Sequence, residues 1–326
     1  MSRTALIGGF AALLAASAAL AQVPAPAAAP EAPAPGAAPA APRPVPPAAF
    51  RSPEEGFAAF VAALRAPGDR QALRVLGTAG ARLIRSGDAV EDRAARQRFL
   101  AAYDQKAEIL RPAPGRAVLQ VGNDGWPLPL PLLERGGLWR FDSAAAGQEI
   151  VDRRIGRNEL DTIEVMRELV DAQADYARTA GRQGGFRVYA RRFFSTPGQR
   201  DGLYWQTGPD EAPSPLGPLF AAASAGGYAR TPGDRPQPFH GYLFRMIEAQ
   251  GPAAPGGATD YVVNGRMIGG FAAIAWPAQY GVSGIKTFMV SHSGDVWERD
   301  LGPDTARAAA ALTRFDPGEG WTRVPQ

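Results

Sequence analysis

The sequence contains no cysteine and has only two histidines, His240 and His292, among its 326 residues. Without cysteine the protein cannot form disulfide bonds, use a thiol nucleophile or bind zinc through thiolates. The two histidines lack the H-x-x-x-H or H-E-x-x-H spacing of zinc enzymes. Carboxylates alone would have to hold a metal, and the aspartates between residues 295 and 304 lack the spacing of a calcium-binding loop. We therefore predict neither a metal site nor a cofactor.

An excess of charge of one sign is also missing, because 35 Lys and Arg stand against 32 Asp and Glu, for a formal net charge of +3. No stretch forms the basic stripe that follows a nucleic-acid backbone, so we predict no nucleic-acid partner. After the first 21 residues no apolar run is long enough to cross a bilayer, so we expect no transmembrane anchor in the mature chain.

The first 21 residues have the features of a secretory signal peptide. Arg3 precedes an uncharged apolar run over residues 5–20, and Ala19, Leu20 and Ala21 form the small-x-small pattern that signal peptidase recognises. The run is too short and too rich in Ala and Gly for a membrane-spanning helix. We predict cleavage after Ala21, which would leave the mature protein periplasmic or secreted.

Residues 22–49 consist almost entirely of Pro and Ala, with Glu31 and Arg43 as the only charged residues. Because proline lacks a hydrogen-bond donor and alanine buries little surface, no core can form there. We predict a disordered, semi-extended linker. It is either a spacer that lets the folded part reach across the envelope or a linker without a function of its own.

The first folded domain is predicted over residues 50–150, with helices followed by strands. Ser52, Pro53 and Glu55 form a capping box that starts the first helix. Four strands separated by Pro and Gly turns are then predicted at residues 107–110, 117–121, 128–133 and 138–141. The prolines at 127, 129 and 131 make the third an edge strand or an extended loop. This order resembles the cone-shaped, cystatin-like fold of the nuclear transport factor 2-like superfamily, which implies a curved sheet that often encloses a small pocket.

The second domain is predicted over residues 151–326 and opens with a long helix capped by Asn158. Its buried stripe is predicted from apolar residues at helical spacing, which are Leu160, Ile163, Met166, Val170, Ala174 and Ala177. Residues 206–237 are rich in Pro and Gly and are predicted to be irregular. Strands are predicted at residues 242–249, 261–263, 270–276, 287–291 and 296–299, before a last helix at 303–312. The predicted fold class is therefore α+β, with two domains.

Several segments in order resemble the bacterial family catalogued as domain of unknown function 2950. They are residues 153–160 (RRIGRNEL), 201–205 (DGLYW), 214–219 (SPLGPL), 260–265 (DYVVNG) and 275–277 (AWP). The resemblance runs from about Ser52 to the end of the chain. It implies an exported protein without an assigned activity.

The second domain is also similar to the globular part of type IV pilin-like proteins, in which a long helix precedes an antiparallel sheet. The similarity rests on residues 175–177 (DYA) at the end of the helix, 227–228 (GY), 241–244 (GYLF), 276–277 (WP) and 287–290 (TFMV). A pilin's helix continues from a membrane segment, whereas a whole domain precedes this one. Incorporation into a filament is therefore not expected.

Candidate ligand-binding residues come from the many aromatic side chains of the second domain and from its basic start. We predict a site drawn from Tyr204, Trp205, His240, Tyr242, Trp276 and Arg157. The aromatic residues can form a surface on which sugars or peptides stack, or they can belong to the core. Arg157, with Arg153 and Arg154, can form an anion site beside a helix N-terminus or a set of interdomain salt bridges in which arginine packs against the first domain; we favour the salt bridges.

These observations favour a non-catalytic binding or assembly module of the cell envelope, with an envelope protein or a glycan as partner. The signatures of nucleophilic, metal-dependent and cofactor-dependent enzymes are missing from the sequence. The alternative is an envelope hydrolase that uses His240 and carboxylates, namely Asp142, Asp201, Glu248 and Asp260. That activity requires two such groups to converge in one cleft.

Overall fold

The computed structural model describes residues 44–208, 210–225, 228 and 237–325. The predicted signal peptide and residues 22–43 of the predicted linker lie outside the described residues. We call residues 44–142 the N-terminal lobe. Its first residues are held in place by backbone hydrogen bonds, since Thr78 N–H donates to Val45 O at 2.9 Å and Ala48 N–H donates to Val75 O at 3.1 Å. The end of the predicted linker therefore packs along this lobe.

The N-terminal lobe begins with a group of helices. They are α1 (Pro53–Arg65), α2 (Arg70–Leu76), a 3₁₀ turn (Thr78–Gly80), α3 (Ala81–Ile84) and α4 (Ala89–Gln105). The capping box predicted for α1 is confirmed, because Ser52 Oγ accepts from Glu55 N–H at 3.2 Å. Glu55 Oε2 in turn accepts from Arg51 N–H at 2.8 Å. These bonds satisfy backbone donors that a helix start otherwise leaves unpaired.

Antiparallel strands complete the N-terminal lobe. They are β1 (Ala107–Ala113), β2 (Arg116–Val121), β3 (Trp126–Pro127), β4 (Leu132–Arg135) and β5 (Leu138–Phe141), paired in the order β1-β2-β4-β5 with β3 against β2. Helix α1 covers this sheet, since the rings of Phe57 and Phe60 lie 5.6 and 5.4 Å from the ring of Phe141. The strand predicted at 128–133 begins only at Leu132, because prolines at 129 and 131 cannot donate to a ladder.

A single helix of 36 residues, α5 (Ser143–Arg178), links the N-terminal lobe to the rest of the chain. Its N-cap is Asp142, whose carboxylate accepts from Ala145 N–H at 3.4 Å. The prediction that Asn158 caps the helix is therefore wrong, because Asn158 lies in its middle. No helix in the described part of the chain is both long and apolar enough to cross a membrane.

The buried face of α5 also differs from the predicted apolar stripe. Ile163 and Met166 are buried as predicted, whereas Leu160 is 66% exposed. The buried face of α5 instead includes three polar residues at helical spacing, Asn158, Thr162 and Gln173. The structure therefore rotates the buried face away from the line that hydrophobicity alone indicates.

We call residues 182–325 the C-terminal lobe. It begins with the short hairpin β6 (Arg182–Gln183) and β7 (Phe186–Arg187), followed by helix α6 (Gly217–Ala225). Helix α6 lies inside the segment predicted to be irregular, so that prediction is wrong over these residues. Elsewhere in residues 186–207 the structure has turns and isolated β-bridges, such as the bridge between Phe194 and Tyr204.

The remaining strands build the sheet of the C-terminal lobe and its edges. They are β8 (Tyr242–Ile247), β9 (Ala249–Gln250), β10 (Thr259–Asp260), β11 (Val262–Val263), β12 (Arg266–Met267), β13 (Ala272–Pro277), β14 (Lys286–Ser291), β15 (Val296–Asp300) and β16 (Thr322–Arg323), with helix α7 (Thr305–Ala311) before β16. The main sheet is antiparallel in the order β16-β15-β14-β13-β8. The fold is therefore mixed α+β, with antiparallel sheets in both lobes.

The central strands of this sheet are buried on both faces. Phe288 and Val290 of β14 belong to the core that includes α5, whereas Met289 between them belongs to the core that includes α7. All six residues of β13 are buried as well. Burial on both faces explains why residues 270–276 read as a continuous apolar run rather than an alternating one. Residues from Pro44 onward form one compact unit, and the division at residue 150 into two domains stays a prediction.

Gly284 lies where the loop before β14 passes Tyr242, whose side chain is fully buried. A Cβ on Gly284 would meet Tyr242 Oη and lie 2.5 Å from its Cζ. We expect Gly284→Ala to lower the free energy of unfolding by about 1–3 kcal/mol, because the buried ring must move. Chemical denaturation measures the change. Gly156→Ala is the control, since open space surrounds Gly156 within α5. This variant should be neutral or stabilising. Equal changes in the free energy of unfolding for the two variants would contradict the packing argument.

Candidate functional site

One cavity of the described structure lies between α4 and the first half of α5. This α4–α5 cavity has a volume of about 530 Å³, within the range of small-molecule sites. The wall opposite the two helices comes from β2 and the extended segment around β3. The lining residues are Phe60, Leu64, Leu76, Leu83, Ile84, Glu91, Asp92, Ala95, Arg96, Arg98, Phe99, Ala102, Val121, Asp124, Trp126, Leu128, Pro129, Leu130, Ile150, Arg153, Arg154 and Arg157.

The floor of the cavity is apolar and continuous with the core of the N-terminal lobe. Leu76, Leu128 and Leu130 are buried in that core and also line the cavity. None of the residues of α4, all of which the structure describes, is fully buried. Its Phe99 is only partly buried, because it faces the cavity rather than a filled core. Trp126 adds an indole that is 42% exposed.

The rim of the cavity carries charge of both signs. Arg154 of α5 donates to the carbonyl oxygens of Arg82 and Leu83, both at 2.8 Å. Burial lowers the pKa of the Arg154 guanidinium. Asp92 of α4 accepts from Ser86 N–H at 3.0 and 3.1 Å, and burial raises the pKa of its carboxyl. Burial thus disfavours the charged form of both groups, which also attract each other electrostatically.

The other arginines of the rim form ion pairs. Glu91 lies 2.7 Å from Arg98 and 3.7 Å from Arg157. Arg96 pairs with Asp69, which also pairs with Arg85 of the same lobe. Both arginine pairs hold the pKa of the Asp69 carboxyl below its usual value, although partial burial opposes them. The charged side chains of the rim are therefore held by partners on α4 and α5, on α3 and in the segments that precede α2 and α4.

Below the cavity, Asp88 joins the N-terminal lobe to the C-terminal lobe. Its Oδ1 accepts from the N–H groups of Val90 and Glu91, both at 3.1 Å, and so caps α4. Its Oδ2 accepts from Tyr228 Oη at 2.7 Å and from Gly241 N–H at 3.1 Å. Burial, followed by the hydrogen bond to Asp88, raises the pKa of the Tyr228 phenol well above its ordinary value. This buried carboxylate is 2% exposed and fully used by structural contacts.

Helix α5 makes a second connection at the same junction. Asn158 Nδ2 donates to Ser283 O at 2.9 Å from a buried position. Glu159 Oε1 accepts from the N–H groups of Ile285 and Lys286 at 2.9 and 3.0 Å. Consecutive residues of α5 thus hold the start of β14 in place.

A second concave surface, the Trp205 groove, lies at the other end of α5. It has a volume of about 660 Å³ and is lined by Asp175, Thr179, Ala180, Arg200, Trp205, Glu211, Ala212, Pro213, Ser214, Pro215 and Pro218. The Arg200 guanidinium lies 5.4 Å from the centre of the Trp205 ring. Trp205 Nε1 and Ser214 Oγ are buried without a hydrogen-bond partner in the described residues.

The six predicted ligand-binding residues do not line one common space, although Tyr204, Trp205 and Tyr242 pack in the same hydrophobic cluster. Arg157 lines the α4–α5 cavity and Trp205 lines the other groove. His240 lies at the lobe junction with Nδ1 3.4 Å from Asp161 Oδ2. Tyr242 is buried and donates to Lys286 O, and the remaining two, Tyr204 and Trp276, pack in two different hydrophobic clusters of the C-terminal lobe.

The four carboxylates of the hydrolase alternative also have separate partners. Asp142 caps α5, and Asp201 accepts from the backbone and hydroxyl of Thr196 at 2.7 and 2.8 Å. Glu248 forms a two-bond ion pair with Arg191 at 2.8 and 3.0 Å, and Asp260 lies 3.1 Å from Arg314. Within the described residues, no three His, Asp or Glu side chains come together to hold a metal ion.

Comparison with protein families gives one match, which covers most of the chain. The family described as "Protein of unknown function (DUF2950)" matches residues 48–324. The chain belongs to the DUF2950 family. No curated protein and no solved structure is significantly similar to this DUF2950 chain. The resemblance seen in the sequence is thus confirmed.

In this DUF2950 chain, the motif at residues 153–160 serves both the cavity and the junction. Arg153, Arg154 and Arg157 line the α4–α5 cavity, and Asn158 and Glu159 bind the loop before β14. The favoured interpretation, salt bridges to the first lobe, agrees with the Arg157–Glu91 pair at 3.7 Å, whereas Arg154 contacts that lobe through the carbonyl oxygens of Arg82 and Leu83 and forms no ion pair within the described residues. The helix N-terminus that the anion-site alternative requires lies at Asp142 instead.

Sequence reasoning missed several residues of the DUF2950 cavity. Asp92 reads as one of many solvent-exposed charges of α4, and Trp126 reads as part of a Pro-rich loop. In the sequence, α4 shows only a weak apolar face, because Phe99 has few apolar neighbours at helical spacing. A helix that covers a cavity does not need a stronger apolar face than this.

Proposed function

We propose that this DUF2950 protein is a non-catalytic binding module of the bacterial cell envelope. The observation that carries the proposal is the α4–α5 cavity, an apolar space of about 530 Å³ with an ordered charged rim. Apolar pockets with a few convergent polar groups are the usual form of a small-molecule site. A protein that only spaces other parts of the envelope needs no such cavity.

Export rests on the first 21 residues, which lie outside the described part of the chain. A charged start, a short apolar run and the Ala19–Ala21 cleavage pattern support a signal peptide. The mature protein is then periplasmic or secreted, and its Pro- and Ala-rich linker precedes the folded part. Its partners are an envelope protein or a glycan, for which the Trp205 groove offers an aromatic surface.

The architecture supports the same function. The N-terminal lobe resembles the cone-shaped nuclear transport factor 2-like class, in that its helices precede a sheet that backs a cavity. The C-terminal lobe is pilin-like, with α5 packed on one face of an antiparallel sheet. The hydrolase alternative is less favoured, because the carboxylates proposed for it bind different partners in different parts of the fold.

Binding in the cavity can be tested with a neutral fluorescent probe, N-phenyl-1-naphthylamine. We expect saturable binding of one probe per chain. Ala95→Trp should weaken that binding about tenfold, because Ala95 is exposed on α4 and lines the cavity, where an indole would occupy its space. Fluorescence titration of the mature protein measures both.

Ala101→Trp provides the matched control, because Ala101 is exposed on the same helix but does not line the cavity. This variant should bind the probe like the unaltered protein. Absence of saturable binding, or an equal loss in both variants, would contradict a cavity-based binding function.

A further inference from the structure

Arg154 carries a positive charge at the wall of the α4–α5 cavity that no carboxylate neutralises at close range. Its guanidinium binds two backbone carbonyls, of Arg82 and Leu83. Among the described residues no carboxylate lies within ion-pair distance of it, whereas Arg98, Arg153 and Arg157 each have one. Carbonyl dipoles orient this charge without cancelling it.

The surroundings of Arg154 carry charge of both signs, and after burial the carboxylate of Asp92 has the largest effect on its pKa, which it raises. Arg157 and Arg82 act on it electrostatically and, after the larger effect of burial, lower its pKa further. Asp92 and Glu91 act in the opposite direction, but Glu91 is already shared between two arginines and Asp92 is held by Ser86 N–H. In all, five arginines and three acidic residues line the cavity. A poorly solvated cation in such a place gains from an added counter-charge.

An apolar floor lies within the same cavity. Phe99 and Ile150 are partly exposed and form an apolar wall along α4 and α5, while the buried Leu76, Leu128 and Leu130 back the cavity from the core. A hydrocarbon chain buried there would gain free energy in proportion to the apolar area removed from water. The cavity thus joins an apolar surface to an uncompensated cation.

We propose that the α4–α5 cavity binds an amphiphile with one anionic head group, whose head lies beside Arg154 and Arg157 and whose hydrocarbon chain lies on the leucine floor. The inference rests on the binding function proposed above and names the ligand class of that site. A guanidinium presents two parallel donors to a carboxylate or phosphate, which fits either head group. A cationic amphiphile would face Arg154 and Arg157 with like charge.

Three probes of equal chain length test the proposal, namely decanoate, 1-decanol and decylamine, each used below its micellar concentration with the full mature protein. Titration calorimetry should give the highest affinity for decanoate. Arg157→Gln should weaken decanoate binding about tenfold and leave decanol binding unchanged, because the charge of Arg157 acts only on the anionic head. Asp124→Asn, which removes a negative charge from the exposed rim, should strengthen decanoate binding about threefold.

Arg178→Gln is the control for the loss of one arginine from α5. Arg178 is exposed near the end of this helix, pairs with Asp175 and does not line the cavity, so decanoate affinity should not change. Equal affinity for decanoate and decanol, or preference for decylamine, would overturn the anionic class while leaving a binding cavity in place. If neither these probes nor N-phenyl-1-naphthylamine bind, the proposed function itself fails.

Discussion

Replacing Asp88 with alanine is expected to lower the free energy of unfolding by about 3–5 kcal/mol, among the largest losses for any single side chain of this protein. The carboxylate is buried and accepts four hydrogen bonds, two from the start of α4 and two from the C-terminal lobe. Its removal would leave the buried Gly241 N–H and the partly buried Tyr228 Oη without this acceptor. Chemical denaturation at neutral pH measures the loss.

Two variants separate the parts of this effect. Asp88→Asn keeps an oxygen that can cap α4, but its NH₂ group cannot accept from Gly241 N–H, so an intermediate loss is expected. Asp142→Ala removes another helix-capping aspartate, one that makes a single long bond of 3.4 Å to Ala145 N–H. That variant should lose about 1 kcal/mol or less. If Asp88→Ala were no worse than Asp142→Ala, the link between the lobes would not depend on Asp88.

The sequence predicts most elements of this fold but misplaces the start of its longest helix. The strands at 242–247, 272–277, 286–291 and 296–300 and the last helix agree with the predictions to within a few residues. The predicted start rests on Asn158, a favoured N-cap residue, whereas residues 143–157 include two poor helix formers, Gly147 and Gly156. Gly147 is buried beside Leu83 of α3, so contacts with the N-terminal lobe outweigh its low propensity.

The buried face of α5 shows why hydrophobicity alone misplaces a helix. Because leucine is apolar, the sequence predicts that Leu160 is buried, yet it is 66% exposed. Asn158, in contrast, is 3% exposed. Asn158 is buried because its amide donates to Ser283 O, a partner that is 125 residues away in the chain. A polar side chain can be buried when such a partner exists. No local pattern reveals a partner at that distance.

The candidate site was predictable only in part for the same reason. Arg157 and its neighbours stand out in the sequence, and their contact with the N-terminal lobe was predicted correctly. The cavity, however, depends on the approach of α4 to α5 and on Trp126, which the sequence places in an unremarkable loop. Aromatic residues that drew attention, such as Tyr242, serve the core instead. Residue type indicates chemistry, whereas the position of a cavity follows from tertiary packing.

Gln173→Met should lower the free energy of unfolding by about 2–5 kcal/mol although the two side chains have similar volumes. Gln173 is fully buried on α5, where its Nε2 donates to Ala190 O at 2.8 Å and its Oε1 accepts from Ala190 N–H at 2.9 Å. Methionine fills the space but leaves both backbone groups of buried Ala190 unpaired. Gln148→Met on the exposed side of α5 is the control and should change stability by less than about 0.5 kcal/mol.

Gln173→Glu distinguishes lost hydrogen bonds from altered packing. A neutral glutamic acid can still donate to Ala190 O and accept from Ala190 N–H, whereas a carboxylate can only accept and would face the Ala190 carbonyl oxygen. Burial should therefore raise the folded-state pKa of this glutamate above its unfolded value of about 4.3. A raised pKa means that the variant is destabilised at neutral pH and recovers stability, relative to the unaltered protein, as the pH falls through the folded-state pKa. Denaturation at pH 7 and pH 5 measures this recovery, and a pH-independent difference would show that the Ala190 hydrogen bonds are not what Gln173 contributes.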